Sequence, residues 1–188
     1  MGKSKAIRLA LQLFCALVAL AALPTSSSSA DITIPSPSSE REYHLKFYHT
    51  HTRESIDIVY RKGDAYIPEA ISQLEHYLRD HRTGDIRPFD PRLFDLLTDL
   101  TAAVKHPDSV INIVCGYRSP WSNAFLRSKS SAVAKNSLHM QAMALDIRIP
   151  GVTTSKLRAA AIALNRGGVG YYPASRFVHV DVGPVRYW

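Results

Sequence analysis

Apolar side chains recur with two periods along this chain, and the period changes several times between residues 43 and 188. Alternating apolar and polar residues are typical of a strand with one buried face, whereas apolar residues three and four apart are typical of a helix. The predicted strands are a hairpin over 43–60 that turns at 50–54, a buried strand over 110–115, and strands over 142–149, 169–172 and 176–182. The predicted helices cover 68–82, 90–104, 121–129 and 154–165.

Residues typical of helix ends set the boundaries of these helices. Pro68 suits the first turn of the first helix, and Asp90-Pro91 begins the second. Thr154 or Ser155 is predicted to cap the last helix, and Gly167-Gly168 to stop it. Helices and strands are interspersed, with both short and long links between strands. This arrangement predicts an α+β fold whose mostly antiparallel central sheet is flanked by helices. A length of 188 residues fits one domain.

The first 30 residues have the pattern of an export signal. Three cations precede an apolar run of about 15 residues at 9–23, and small residues suited to cleavage follow it. The alternative is an uncleaved membrane anchor, but the run is short for a bilayer span of about 20 residues. We therefore predict a signal peptide over 1–30, a flexible Pro/Ser-rich leader over 31–42 and one folded domain over 43–188, with no stable membrane insertion after cleavage.

The chain is basic, and removing the signal leaves it basic. The formal net charge is +7, and loss of residues 1–30 takes away three cations and no anion, which leaves +4. An exported basic protein is attracted to anionic polymers of the cell envelope. Nucleic acid is not predicted as a partner, because no run of five basic residues and no binding motif is present. The predicted location is the periplasm or the cell envelope.

Cysteines do not stabilise the predicted domain by an internal disulfide. Cys15 lies in the signal, so Cys115 is alone in the exported chain and is interpreted as a buried strand residue. Several histidines fall in polar turns or beside helices and are interpreted as solvated surface residues: His49, His51, His76, His81 and His106.

Two histidines and one aspartate form the candidate metal site. His139 and Asp146 are separated by seven positions that are rich in small residues, and His179 lies within an apolar strand. A catalytic zinc site needs three such ligands and leaves a fourth position for water. By spacing alone the site is weakly specific, and a buried histidine hydrogen-bonded to Asp181 or Asp146 is the alternative.

Four motifs occur in order around these residues: Gly116-Tyr117-Arg118-Ser119, Ser137-Leu138-His139 with Ala144-Leu145-Asp146, Gly167 to Pro173, and Phe177 to Pro184. Together they resemble the murein endopeptidase K family of the zinc D-Ala-D-Ala carboxypeptidase and hedgehog-type peptidases. The resemblance extends from about Tyr43 to Trp188. It implies a zinc site on the sheet, with the metal held by His139, Asp146 and His179. It also implies that Arg118 binds a substrate carboxylate or polarises the scissile carbonyl.

The general base of the related enzymes has no counterpart here. Its positions, three or two residues before the last histidine, hold Arg176 and Phe177, neither of which accepts a proton from water near neutral pH. Asp181 follows His179 by two residues, so on a strand both side chains face the same way. Asp181 is therefore the base, the partner that orients His179, or both, and we predict that it acts in catalysis as the base or in the mixed role. Ser137 is a further candidate for contact with substrate. Tyr171 and Tyr172 are candidates for lining the substrate groove, and packing in the core is the alternative for both.

These residues predict a zinc-dependent murein endopeptidase that hydrolyses cross-links between peptidoglycan stem peptides. The alternatives are a D,D-carboxypeptidase on the same fold and a non-catalytic module that binds peptidoglycan. The identity of the cross-link and the oligomeric state do not follow from the sequence.

Overall fold

The computed structural model describes residues 41–131 and 133–188. Strands and helices in this part, in chain order, are β1 (Glu42–His49), β2 (Ser55–Lys62), β3 (Ala65–Tyr66), α1 (Pro68–Tyr77), α2 (Arg92–Ala103), β4 (Ile111–Cys115), α3 (Pro120–Lys129), a 3₁₀ helix (Leu138–Gln141), β5 (Ala144–Arg148), α4 (Thr154–Leu164), β6 (Gly168–Tyr172), β7 (Phe177–Asp181) and β8 (Arg186–Tyr187). The predicted signal, and the leader up to residue 40, lie outside the described residues and stay predictions. None of the described helices is long and apolar enough to span a bilayer.

In the described chain, eight strands form a single sheet in the order β3-β2-β1-β4-β5-β7-β6-β8. Only two neighbouring pairs in it are parallel, β1 with β4 and β6 with β8; the others are antiparallel. The predicted α+β single domain with a mostly antiparallel sheet is therefore confirmed. Strands β3 and β8 were not predicted, because two residues are too few to show a period.

One face of the central strands is apolar and packs beneath the helices. Leu145 and Ile147 of β5 and Val178 and Val180 of β7 are fully buried in the hydrophobic core. Helix α4 lies against β6 and β7, and α2 lies against β1 and α4. Burying each such aliphatic side chain contributes about 1.5–3 kcal/mol.

The alternate residues of the same two strands carry the polar groups. Asp146 pairs with His179, and Ala144 pairs with Asp181, across the antiparallel β5–β7 ladder. Directly opposed residues have Cβ atoms about 5 Å apart on the same face of the sheet. Asp146 also lies opposite Cys115 on β4. The register therefore collects these side chains from three strands on one face.

Some predicted boundaries were wrong. Helix α1 ends at Tyr77 rather than 82. The cap of α4 is Thr153, whose hydroxyl accepts from the Lys156 amide, rather than Thr154 or Ser155. The same helix stops at Asn165, which adopts the left-handed conformation before the glycines are reached.

The prediction that His49 is solvated was also wrong, since its exposed fraction is 0%. Its Nδ1 accepts hydrogen bonds from the amides of His51 and Thr52, so the imidazole fixes the β1–β2 turn. The His51 ring stacks on His81 at a centroid distance of 4.2 Å.

Candidate metal centre

The 3₁₀ helix between α3 and β5 presents His139. The Ser137 hydroxyl caps this helix by accepting from the His139 amide at 3.4 Å. On the ring, Nδ1 donates to the Gly116 carbonyl at 2.9 Å, which leaves the lone pair on Nε2. Position 116 must be glycine, because a Cβ there would lie 2.5 Å from the backbone oxygen of Leu78.

Three side-chain atoms converge where β5, β7 and the 3₁₀ helix meet. His139 Nε2 lies 3.3 Å from Asp146 Oδ1, His179 Nδ1 lies 3.0 Å from the same oxygen, and the two imidazole nitrogens are 3.1 Å apart. Tetrahedral ligands about 2.0–2.1 Å from a zinc ion are themselves about 3.3 Å apart. All three residues are less than 10% exposed. The donor set and its spacing therefore fit a divalent metal.

The Asp146 carboxylate is ionised in this arrangement. Burial by itself raises the pKa of Asp146, but the neighbouring imidazoles of His139 and His179 outweigh it and hold the pKa far below its usual value. With both imidazoles neutral, as metal ligation requires, the site offers one negative charge and two imidazole lone pairs. Cys115 adds a thiol nearby: one donor atom from each of Cys115, His139 and Asp146 lies within 4.8 Å of the others.

Asp181 lies on the opposite side of the His179 ring from Asp146. Its Oδ2 accepts from His179 Nε2 at 3.0 Å and from Arg186 Nη2 at 2.7 Å. Its Oδ1 accepts from the amides of Gly168 and Gly183, each at 2.9 Å, and from Arg186 Nη1 at 3.2 Å. Both carboxylate oxygens are therefore occupied by donors, and the residue is 0% exposed.

These donors stabilise the ionised form of Asp181. Burial raises the pKa of this carboxyl, but hydrogen bonds from His179, Gly168 and Gly183 outweigh burial and lower the pKa to about 2. The charge on Asp181 keeps the proton of His179 on Nε2, which leaves Nδ1 free to face His139 and Asp146.

Arg118 reaches the same centre from the loop between β4 and α3. Its Nη2 donates to Cys115 Sγ at 3.3 Å and lies 3.9 Å from Asp146 Oδ2, and its Nη1 donates to Asn123 Oδ1 at 3.4 Å. The loop is fixed by buried Asp80, whose Oδ2 accepts from the Ser119 amide at 2.8 Å.

A cavity of about 240 Å³ opens over the three converging atoms. Its lining includes polar groups and one aromatic wall: Arg118, Ser137, His139, Asp146, His179 and Arg186, with Tyr172, Phe177 and Trp188. The Trp188 indole donates to Tyr172 Oη at 2.9 Å, and its ring centroid lies 5.2 Å from that of His179. Asp146 is the one carboxylate among the described residues that line the cavity.

Residues 37–188 match the sequence model of a protein family that is described as peptidoglycan L,D-endopeptidase MepK. The chain is 42% identical over 144 residues to the peptidoglycan L,D-endopeptidase MepK of Escherichia coli (strain K12), covering 77% of this chain and 79% of that protein. It is 39% identical over 144 residues to the probable peptidoglycan L,D-endopeptidase MepK of Haemophilus influenzae, covering 77% of both chains. This chain belongs to the MepK family.

Membership of the MepK family confirms the predicted class of activity. The chain is a murein endopeptidase, a hydrolase of peptidoglycan that works in the cell envelope. The family and the buried histidine, aspartate and cysteine donors together indicate a metal site.

The structure brings most of the predicted site residues of this MepK-family chain together, with one correction. His139, Asp146, His179, Arg118 and Ser137 all line the cavity.

Tyr171 does not line it. Neighbouring strand residues face opposite sides of a sheet, and the ring of Tyr171 instead contacts the Arg158 guanidinium at 5.3 Å. Tyr172, the other tyrosine predicted for the substrate groove, does line the cavity.

Sequence reasoning missed Asn123, Arg186 and Trp188. Arg186 and Trp188 lie beyond the last predicted strand, and β8 is too short to be recognised. Asn123 is buried on a polar helix whose pattern gives no sign of an inward-facing amide.

Proposed function

We propose that this chain is a zinc-dependent L,D-endopeptidase that hydrolyses cross-links between peptidoglycan stem peptides in the periplasm, after removal of residues 1–30. The convergence of His139 Nε2, Asp146 Oδ1 and His179 Nδ1 within 3.0–3.3 Å of one another carries this proposal. The names of the two relatives, both peptidoglycan L,D-endopeptidases, support the L,D specificity.

Zinc is the ion that this donor set favours. Two neutral imidazoles and one carboxylate suit a borderline ion in tetrahedral geometry, and the cavity leaves one side open. A bound zinc ion would lower the pKa of a water ligand toward about 7 and polarise the carbonyl of the scissile bond.

The residues around the ion then have separate tasks. Arg118 is held beside Asp146 with its guanidinium at the cavity, where it donates to the carbonyl oxygen of the scissile bond as negative charge develops there. Ser137 caps the 3₁₀ helix and so holds His139 in place. Tyr172 and Trp188 form a wall that limits access to the open side.

We assign to Asp181 the orientation of His179 rather than general base catalysis. A base must reach the proton that it removes, within about 3 Å or through one water. Asp181 is enclosed behind His179, and five donors already occupy its two oxygens. Asp181 is fully buried and is not among the residues that line the cavity, and this placement and its low pKa both oppose the base role.

The experiment uses the chain without residues 1–30 and three purified muropeptides. The first is a dimer joined through diaminopimelate to diaminopimelate, an L-to-D bond. The second is a dimer joined through D-Ala to diaminopimelate, and the third is a monomer that ends in D-Ala-D-Ala. Products are identified by mass spectrometry with and without a chelator, followed by added zinc.

The proposal predicts that the first dimer is split, that chelation stops the reaction and that zinc restores it. Release of a terminal D-Ala from the monomer instead would favour the D,D-carboxypeptidase. Binding to all three without any product would favour the non-catalytic module.

A further inference from the structure

Two aromatic rings lie exposed on the outer face of α3. Trp121 is 61% exposed and Phe125 is 43% exposed. Their rings are nearly parallel, with an interplanar angle of 4° and a centroid distance of 5.6 Å. Two adjacent exposed rings present one contiguous apolar surface, and contiguous apolar surface is the kind that marks binding sites. We call these two side chains the aromatic platform.

The inner face of the same helix holds the rim of the catalytic cavity. Asn123 is only 3% exposed, and its Nδ2 donates to the backbone oxygens of Ala134 and Lys135 at 3.2 and 3.3 Å. Ala134 lines the cavity, and the Asn123 Oδ1 accepts from Arg118. The aromatic platform is thus one helix diameter, about 10 Å, from groups that touch the site. The platform and the groups at the cavity rim therefore lie on opposite faces of one helix.

The charge beside the platform is positive. Helix α3 has no acidic residue, and Arg127 and Lys129 occupy its last turn. The Lys129 ammonium lies 5.8 Å from the Phe125 ring centroid. A suitable ligand therefore combines flat apolar faces with negative charge close by.

A peptidoglycan strand has this combination. The axial C–H groups of a pyranose ring form an apolar face that stacks on aromatic side chains. The stem peptides, which carry carboxylates, are attached to the same strand. Aromatic residues at binding surfaces supply contact area of this kind. Every cross-link lies between stems attached to such strands, so one strand must pass near the cavity whenever a cross-link occupies it.

We propose that Trp121 and Phe125 dock the glycan strand of peptidoglycan while the attached stem peptide enters the cavity. The inference rests on the proposed function in one respect, that peptidoglycan stem peptides occupy this cavity. It adds that the enzyme recognises sugar as well as peptide.

The first test measures glycan binding without any hydrolysis. A β-1,4-linked N-acetylglucosamine oligosaccharide, which carries no peptide, is titrated by NMR into the chain without residues 1–30, and into its Trp121→Ala and Phe125→Ala variants. Ile86→Ala is the matched control, because Ile86 is also an exposed apolar residue, 53% exposed, but not one that lines the cavity. We expect the affinity to fall at least about fivefold in both platform variants, the scale of a tryptophan that anchors an interface. The control should keep the original affinity.

The second test compares two substrates that contain the same cross-link. One is intact polymeric peptidoglycan, and the other is the cross-linked peptide freed from its sugars. Trp121→Ala should slow hydrolysis of the polymer several-fold and leave hydrolysis of the free peptide unchanged. Equal slowing on both substrates would mean that the substitution acts through Arg118 and would overturn the proposal.

Two further outcomes would also overturn it. Unchanged oligosaccharide affinity in both platform variants would exclude a sugar site at α3. A concentration-dependent dimer in analytical ultracentrifugation that Trp121→Ala abolishes would show that a second copy covers the platform. Failure of the proposed function is distinguishable, because an unmodified chain that binds the oligosaccharide but cuts neither substrate would refute the endopeptidase and leave glycan docking in place.

Discussion

Replacing Asp181 with asparagine separates the two roles that the sequence leaves open for this residue. The amide keeps the size of the carboxylate but has one oxygen and one NH₂ group. Three donors surround Oδ1, those of Gly168, Gly183 and Arg186, so the amide oxygen will occupy that position. The NH₂ group must then face His179 Nε2.

That geometry forces the wrong tautomer on His179. An NH₂ group cannot accept a hydrogen bond from Nε2–H. The imidazole therefore changes tautomer and carries its proton on Nδ1, so that Nε2 accepts a hydrogen bond from the NH₂ group. Nδ1 is the atom that lies 3.0 Å from Asp146 Oδ1 and 3.1 Å from His139 Nε2. A protonated Nδ1 cannot ligate a metal.

The expected loss of metal affinity is about 10- to 100-fold, or about 1.4–2.8 kcal/mol, the scale for removing a carboxylate that orients a histidine ligand. Stability should fall as well. Since the pKa of Asp181 is about 2, against an ordinary 3.8, its charge stabilises the fold by about 2 kcal/mol above pH 4. This stabilisation is lost as pH falls from about 4 to about 2, and the asparagine variant lacks it at every pH.

The assay is a zinc titration against a chromophoric chelator, followed by hydrolysis of the cross-linked dimer at saturating zinc. Asp64→Asn is the matched control, because Asp64 is exposed in the turn before β3. We expect weaker zinc binding in Asp181→Asn, largely restored turnover once zinc is saturating, and a melting temperature about 4–8 °C lower. Unchanged zinc affinity with turnover abolished at saturation would refute the orienting role and identify Asp181 as the base.

Three further substitutions test other parts of the account. Arg118→Lys keeps the positive charge but loses the planar guanidinium with its several N–H donors. Turnover of the dimer should therefore fall about 100-fold while the zinc content of the protein stays unchanged. Full activity would contradict the role given to Arg118. Burial and the neighbouring His51 lower the pKa of His49 to about 4 from 6.5. The unfolded chain therefore binds this proton first, and stability is lost as pH falls from about 6.5 to about 4. In His49→Asn an amide oxygen can still accept from the turn amides, so the melting temperature should change less between pH 7 and pH 5 than in the unmodified chain; an equal change would exclude His49 as the source. Leu97→Ala removes a fully buried side chain of α2 and should lower the free energy of unfolding by about 2–5 kcal/mol in urea titrations. A loss below about 1 kcal/mol would mean that neighbouring side chains move into the cavity left by Leu97.

The elements that the sequence predicted well are those with long periodic patterns. The hairpin of β1 and β2 and the helix α2 have enough residues to display their period, and their apolar sides form the core. The two-residue strands β3 and β8 have no period to read.

Side-chain direction near the site was harder to predict. A shift of one residue along a strand reverses the face, which is why Tyr172 lines the cavity and Tyr171 does not. The environment of Asp181 is built from Gly168, Gly183 and Arg186, and only the pairing of β6, β7 and β8 brings these donors together. His49 was predicted to be solvated because its neighbours are polar, but its Nδ1 accepts hydrogen bonds from two turn amides inside the protein.

The metal centre itself is tested most directly by anomalous X-ray scattering at the zinc edge, from crystals of the zinc-loaded chain without residues 1–30. The proposed metal centre predicts one strong peak within about 2.0–2.1 Å of His139 Nε2, His179 Nδ1 and one oxygen of Asp146, with the remaining ligand position open to the cavity. A peak bound by other side chains, or a chain that hydrolyses its substrate with no ion at these three atoms, would contradict it.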